Sequence, residues 1–385
     1  MERYIFNETV YMGAGSRASL KDELPRRGFR RVFLVSDDAI IKSGVLLKVA
    51  SILDEMQVRY TIFSNIKPNP TVENVQNGYR ALKKSKADVI IAVGGGSVID
   101  TAKAISIIAT NKRHQDVISL DGAVNTEHRA FPLIALPTTS GTAAEVTINY
   151  VITDTDTHKK MVCVDPNDVP IMSIVDAELM ATMPKGLTAS TGMDALTHAI
   201  ESLITKGATQ FSDMFALESI RTIAKYLPIA YKDGNNIEAR EKMAFAQYVV
   251  GMGFSNVGLG IVHSMAHPLG GRFDVPHGVA NAMLLATVME YNAESEAKSK
   301  YRLIAECFGV DTSKATDDKC VKLAVDAVKK LAKKLDIPTS LSEFGIKLKD
   351  LDALSEDAYN DICTGGNPRA TSVKDIKNLY KSLLK

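Results

Sequence analysis

A chain of 385 residues is too long for one ordinary core, so two domains are expected. With 45% hydrophobic and 24% charged residues the composition is that of a globular protein, and a net charge of +1 leaves no basic excess for nucleic acid. The longest apolar runs, at 89–93 and 104–108, fall well short of the ~20 residues of a membrane helix. The opening MERYIFNETVYMG is charged at once and lacks an apolar signal-peptide core, so a cytoplasmic protein is expected.

In chain order, RVFLVS (31–36) reads as a buried strand, 44–56 as a helix and RYTIFS (59–64) as a second strand. An amphipathic helix over 72–85 leads to a third strand, ADVIIAV (87–93), which enters Gly94-Gly95-Gly96. SVIDTAKAISIIAT is the next helix and FPLIALP (131–137) a fourth strand. Strands alternating with helices predict a parallel, doubly wound, Rossmann-like sheet covered on both faces. From about Leu187 the period becomes helical, over 188–205, 209–227, 236–252, 279–292 and 317–335, then shorter stretches near 349–362 and 373–384. The expectation is an α/β nucleotide-binding domain over 1–183 and an all-α metal-binding domain over 184–385, with the site in the cleft between them.

Gly94-Gly95-Gly96-Ser97 sits where a strand ends and a helix begins, a place where unpaired N–H groups can meet a phosphate. Ser97 is expected to cap that helix, with Asp100 completing a form of capping box. Asp37 ends the first strand, where a carboxylate suits ribose hydroxyls, although the usual fingerprint places its acid after the glycines. Asn69 and the loop Pro137-Thr138-Thr139-Ser140-Gly141-Thr142 also follow strands. Each alone is more often an ordinary turn; together they mark one edge of the sheet.

Four scattered cysteines (Cys163, Cys307, Cys320 and Cys363) form no CxxC pair, which argues against a disulfide framework and a thiolate zinc site. Of only seven histidines, four fall between 198 and 277. Asp194 and His198 are spaced i,i+4 and share a helix face, as do His263 and His267; His277 lies between Pro276 and Gly278. A lone Asp or His on a helix is usually a cap or a satisfied core group, but this concentration reverses that balance. One carboxylate and three imidazoles suit Fe2+ or Zn2+. His263, His267 and His277 compete for two places beside Asp194 and His198, and the surplus one can serve as a proton relay. Glu201 shares the face of His198 and is a candidate to orient it, with a solvated helix face an equal reading of that residue.

At these residues the chain resembles the iron-containing (group III) alcohol dehydrogenases over essentially its whole length. One family signature is matched by Ile174-Val175-Asp176, Pro184 and Thr191–Glu201; the other by Gly260–Gly270 and Pro276-His277-Gly278. Within the family, Ala144–Asp154, Val162–Pro166, Gly251–Gly260 and Cys363–Arg369 resemble the lactaldehyde reductases, or propanediol oxidoreductases. Val98-Ile99 and Ser140 depart from the common pattern without removing a phosphate-binding amide.

The resemblance implies metal ligands Asp194, His198, His263 and His277, with His267 as the relay. It implies that Asp37, Asn69, Gly95, Gly96, Ser97, Thr138, Thr139, Thr142, Asn149, Lys160 and Leu179 bind NAD. Asn149, Phe254 and Cys363 would face nicotinamide and substrate, and a homodimer is expected by analogy. The expected activity is hydride transfer between NAD(H) and a small alcohol or aldehyde, lactaldehyde to 1,2-propanediol being the first choice. Ethanol, butanol and 1,3-propanediol are alternatives, with Fe2+ favoured on the family alone and Zn2+ chemically adequate. An oxygen-dependent iron enzyme and a dehydroquinate-synthase-like lyase are rival readings, and the nucleotide loops speak against the first.

Overall fold

The computed structural model describes residues 2–157 and 159–384. The chain divides into two compact units, Met1–Met183 and Pro184–Lys385.

The first unit contains strands β1 (Thr9–Met12), β2 (Arg31–Val35), β3 (Arg59–Phe63), β4 (Val89–Gly94), β5 (Gly122–Ala123), β6 (Leu133–Pro137), β7 (Asn149–Asp154), β8 (Lys159–Val164) and β9 (Met172–Val175). Its helices are α1 (Leu20–Arg26), α2 (Asp38–Lys42), α3 (Val45–Glu55), α4 (Val72–Ser85) and α5 (Gly96–Thr110). Six strands form a parallel sheet in the order β1-β9-β6-β4-β2-β3. β4 is buried at every position, as a central parallel strand must be, and so reads as a continuous apolar run rather than an alternation.

Successive strand residues feed two cores. Phe33, Val35, Ile90, Ala92, Leu133 and Ala135 pack with α4 and α5 residues such as Tyr79 and Ile105. Val32, Leu34, Val89, Ile91, Ile134 and Leu136 pack on the opposite side with Leu20, Leu24, Val49 and Leu53 of α1 and α3. The sheet is doubly wound, as the alternation of strands and helices predicts. The register Gly94↔Pro137 brings the glycine turn beside the threonine loop at the carboxyl ends of adjacent strands.

Five strands have no counterpart in the sequence reading. β1 and β9 are only four residues long, and β5, β8 and β7 form a separate three-stranded sheet in which β7 and β8 are antiparallel. Strands as short as β1, β5 and β9 carry too little periodicity to stand out, and polar residues at their ends leave β7 and β8 with apolar runs too short to read.

Among the described residues the second unit has no strand. Its helices are α6 (Lys185–Ile204), α7 (Gln210–Lys232), α8 (Ile237–Val257), α9 (Ile261–Phe273), α10 (His277–Asn292), α11 (Lys300–Cys307), α12 (Asp317–Lys334), α13 (Leu351–Tyr359) and α14 (Val373–Ser382). α6 packs on α7, α8 and α10, and α9 packs on α10 and α13. From Thr188 onward α6 is buried on nearly every side, so its polar residues must find partners within the helical unit. No single helix among the described residues is long and apolar enough to cross a membrane.

Candidate metal centre and nucleotide loops

Asp194 and His198 project from α6, His263 and His267 from α9, and His277 opens α10. A glycine sets how closely α10 meets α6: a Cβ at Gly278 would lie 2.4 Å from the Ser190 carbonyl oxygen. Only glycine therefore seats the start of α10, and with it His277, against α6. Ligand atoms of Asp194, His263 and His277 lie within 4.8 Å of one another. The His263 Nε2 is 3.9 Å and the His277 Nε2 3.5 Å from Asp194 Oδ1. His198 joins from the other side, its Nε2 3.0 Å from the His263 Nε2.

Glu201 fixes His263 rather than His198, which corrects the pairing expected from helix-face geometry. Its Oε2 is 2.6 Å from His263 Nδ1, while Oε1 accepts a 2.7 Å hydrogen bond from the Val262 N–H. Chain spacing could show only neighbours along α6, whereas the partner is carried in by α9. Burial pushes the Glu201 carboxyl up to about 7, against the pull of backbone N–H groups, and pushes the His263 imidazole down to about 3. A neutral His263 with Nδ1 engaged by Glu201 presents a lone pair at Nε2.

Phe254 stacks flat on His198, with ring centroids 4.2 Å apart, and so holds that imidazole in place. Asn281 was absent from the sequence reading although it lies four residues after His277 on the same helix face. Its Nδ2 donates to Asp194 Oδ1 at 2.7 Å and lies 3.1 Å from both His263 Nε2 and His277 Nε2. Its Oδ1 is buried with no hydrogen-bond partner among the described residues.

These features fit a divalent cation. Two imidazole nitrogens facing each other at 3.0 Å need a proton or a cation between them, and the carboxylate and imidazoles are the donors that Fe2+ and Zn2+ accept. His267 stands apart from the cluster: its Nδ1 is 2.7 Å from Asp361 Oδ2, and its ring stacks on His277 at 5.6 Å. Ligand atoms of Cys363, Asp361 and His267 lie within 4.8 Å of one another. Asp361 is a second residue missed, because nothing in local spacing links it to His267.

In the first unit, Gly95 is the N-cap of α5 and Gly96 its first residue, with no side-chain cap. The capping box expected of Ser97 and Asp100 does not form: the Ser97 carbonyl accepts from Thr101, and Asp100 Oδ2 accepts from the Val151 N–H. The first turn of α5 is thus without a side-chain cap. Thr139 presses on Gly95 and Thr142 on Gly96, where a Cβ would come 2.8 Å from the Thr142 methyl. The Thr138 N–H donates to the Gly94 carbonyl, and its hydroxyl is buried and unpaired among the described residues.

Asn69 accepts a 2.8 Å hydrogen bond from the Lys160 ammonium. Asp37 caps α2 through the Ile40 N–H. Leu179 is wholly buried in the core shared by β2, β4 and β6. Asn149 begins β7, its carbonyl held by the Lys103 ammonium at 2.6 Å. Cys363 and Phe254 belong to the second unit and Asn149 to the first.

The sequence profile of iron-containing alcohol dehydrogenases matches residues 7–177, and that of the Fe-containing alcohol dehydrogenase family, C-terminal part, matches residues 188–384. The chain belongs to the iron-containing alcohol dehydrogenase family. Among relatives of this iron-containing alcohol dehydrogenase, lactaldehyde reductase of Escherichia coli (strain K12) is 46% identical over 98% of both chains. An NAD-dependent methanol dehydrogenase of Bacillus methanolicus is 35% identical over the full length of both. The crystal structure of a 1,3-propanediol oxidoreductase superposes with a TM-score of 0.96 at 36% identity, covering 100% of each chain. The family's iron agrees with the oxygen and nitrogen donors gathered on α6, α9 and α10.

Proposed function

We propose that this enzyme transfers a hydride reversibly between NAD(H) and a small alcohol or aldehyde, with lactaldehyde and 1,2-propanediol the preferred pair. The observation that carries the reading is the convergence of Asp194, His263 and His277, with His198 alongside. These four would hold the cation. When bound, that cation polarises the substrate oxygen as a Lewis acid, and the nicotinamide exchanges the hydride.

The chain's own residues supply placement and proton handling. Glu201 and Phe254 keep His263 and His198 oriented. The uncapped first turn at Gly95, Gly96 and Ser97, with Thr138, Thr139 and Thr142, cradles the cofactor's phosphates. Asp37 takes the ribose hydroxyls and so favours NAD over its 2′-phosphorylated form, while Asn69, Lys160 and Leu179 line the same site. Asn149, Phe254 and Cys363 face the nicotinamide and the substrate. His267 moves the proton.

The test is NADH oxidation by protein loaded anaerobically with Fe2+ or Zn2+, across lactaldehyde, propanal, 3-hydroxypropanal and formaldehyde. Lactaldehyde is expected to give the highest kcat/KM. Failure to oxidise NADH with any of these aldehydes, under either metal, sinks the reading.

A further inference from the structure

Asp361 makes a contact that the reaction as outlined does not use. Its Oδ2 lies 2.7 Å from His267 Nδ1, and its Oδ1 accepts from the Cys363 N–H at 2.8 Å. The second bond is the N-cap of the short helix Ile362–Gly366, so the carboxylate is fixed at the backbone and cannot turn away. Both side chains are buried, His267 at 7% and Asp361 at 9% exposure. Burial alone would raise the Asp361 carboxyl. The neighbouring imidazole and the hydrogen bonds from Cys363 outweigh it and hold the group below its ordinary value. An ionised carboxylate can only accept, so His267 must donate from Nδ1.

We propose that Asp361 is the positioning residue for His267, locking it as the Nδ1–H tautomer so that Nε2 is the nitrogen that exchanges the substrate's proton. This rests on His267 being the relay. In alcohol oxidation the substrate O–H bond breaks and an Nε2–H bond forms; that proton then passes to solvent, and the Nδ1–H stays on Asp361. The aldehyde-reducing direction runs the same transfers backwards.

The geometry also supplies a clean variant. In Asp361→Asn the carboxamide oxygen stays on the Cys363 N–H, since Asn caps helices as well as Asp. The amide nitrogen then faces His267 Nδ1 as a donor and forces the opposite tautomer. In the Ser-His-Asp proteases the same exchange preserves geometry and lowers kcat by about 10⁴-fold through the wrong tautomer.

The experiment uses full-length, zinc-loaded protein labelled with ¹⁵N-histidine, and reads ring nitrogen shifts alongside steady-state kinetics and metal content. Asp361→Asn is expected to keep its zinc and a KM for NADH within about twofold, lose about 100-fold or more in kcat, and exchange the His267 Nδ1 and Nε2 signatures. Unchanged kcat, an unchanged tautomer, or loss of zinc overturns the proposal. His267→Ala separates the two ideas. If it turns over normally, His267 is not the relay, whatever Asp361 does to its tautomer. If it is inactive while Asp361→Asn is active, the relay stands and the positioning role falls.

Discussion

Glu201 is where the smallest chemical change separates positioning from packing. Its two oxygens are committed, one to the Val262 N–H and one to His263 Nδ1. In Glu201→Gln the volume and the Val262 bond survive, but an amide N–H then faces Nδ1 and puts a hydrogen on Nε2, the atom that faces His198. Affinity for Zn2+, measured by chelator competition, is expected to fall about 10–100-fold. Unchanged affinity means that His263 is not a ligand or that Glu201 does not orient it. The i,i+4 pairs placed Asp194 with His198, and His263 with His267, because helix geometry is local. Spacing could not say which of the three later histidines point at Asp194, nor that Glu201, Asn281 and Asp361 surround them. Those relations depend on how α6, α9, α10 and the 361–366 turn pack, and packing between distant segments leaves no period in a sequence.

At the scale of elements, long segments with one environment were legible and short ones were not. β2 and β4 announce themselves as apolar runs because both their faces are covered; α4 does so through a charged face opposite a buried one. α9 carries two of the key histidines yet its small, apolar residues, with Pro268 inside it, give little amphipathic contrast. The start of α5 is the element with the sharpest mutational consequence. Gly96→Ala places a methyl 2.8 Å from the Thr142 methyl, so the helix N-terminus or the threonine loop must move. Overpacking of this kind costs about 1–3 kcal/mol, which corresponds to a KM for NAD raised about 5–150-fold if it falls on binding. Metal content should stay at the wild-type level. An unaltered KM for NAD in this variant removes the α5 turn from the phosphate site.

For the whole molecule, the two units rest on different chemistry. The first holds a buried polar knot remote from any metal ligand in sequence: the Lys103 ammonium donates to the Thr147 and Asn149 carbonyls, and Asp168 and Asp100 lie close by. Burial pushes Asp100 up to about 7, against the attraction of Lys103. A carboxyl whose folded value lies above its unfolded one, near 3.8, stabilises the fold fully below the unfolded value and loses that contribution as pH rises through about 7. Asp100→Asn keeps an acceptor for the Val151 N–H but removes the titration. Melting of the metal-free proteins between pH 5 and 8.5 should show the variant gaining on the wild type as pH rises; parallel curves refute the assignment.

The same unit fastens its beginning to its end. β1 occupies the edge of the sheet and pairs, residue for residue, with β9: Thr9 with Met172, Met12 with Val175. On a ribosome adding about 5–20 residues per second, the intervening stretch takes on the order of 10–30 s to make. For that interval the first strand has been made but its partner has not, and the sheet is completed only as the last residues of the unit emerge. Throughout that interval the backbone of β1 has no strand partner, and because none of its side chains is buried even when paired, the strand can wait in water for β9.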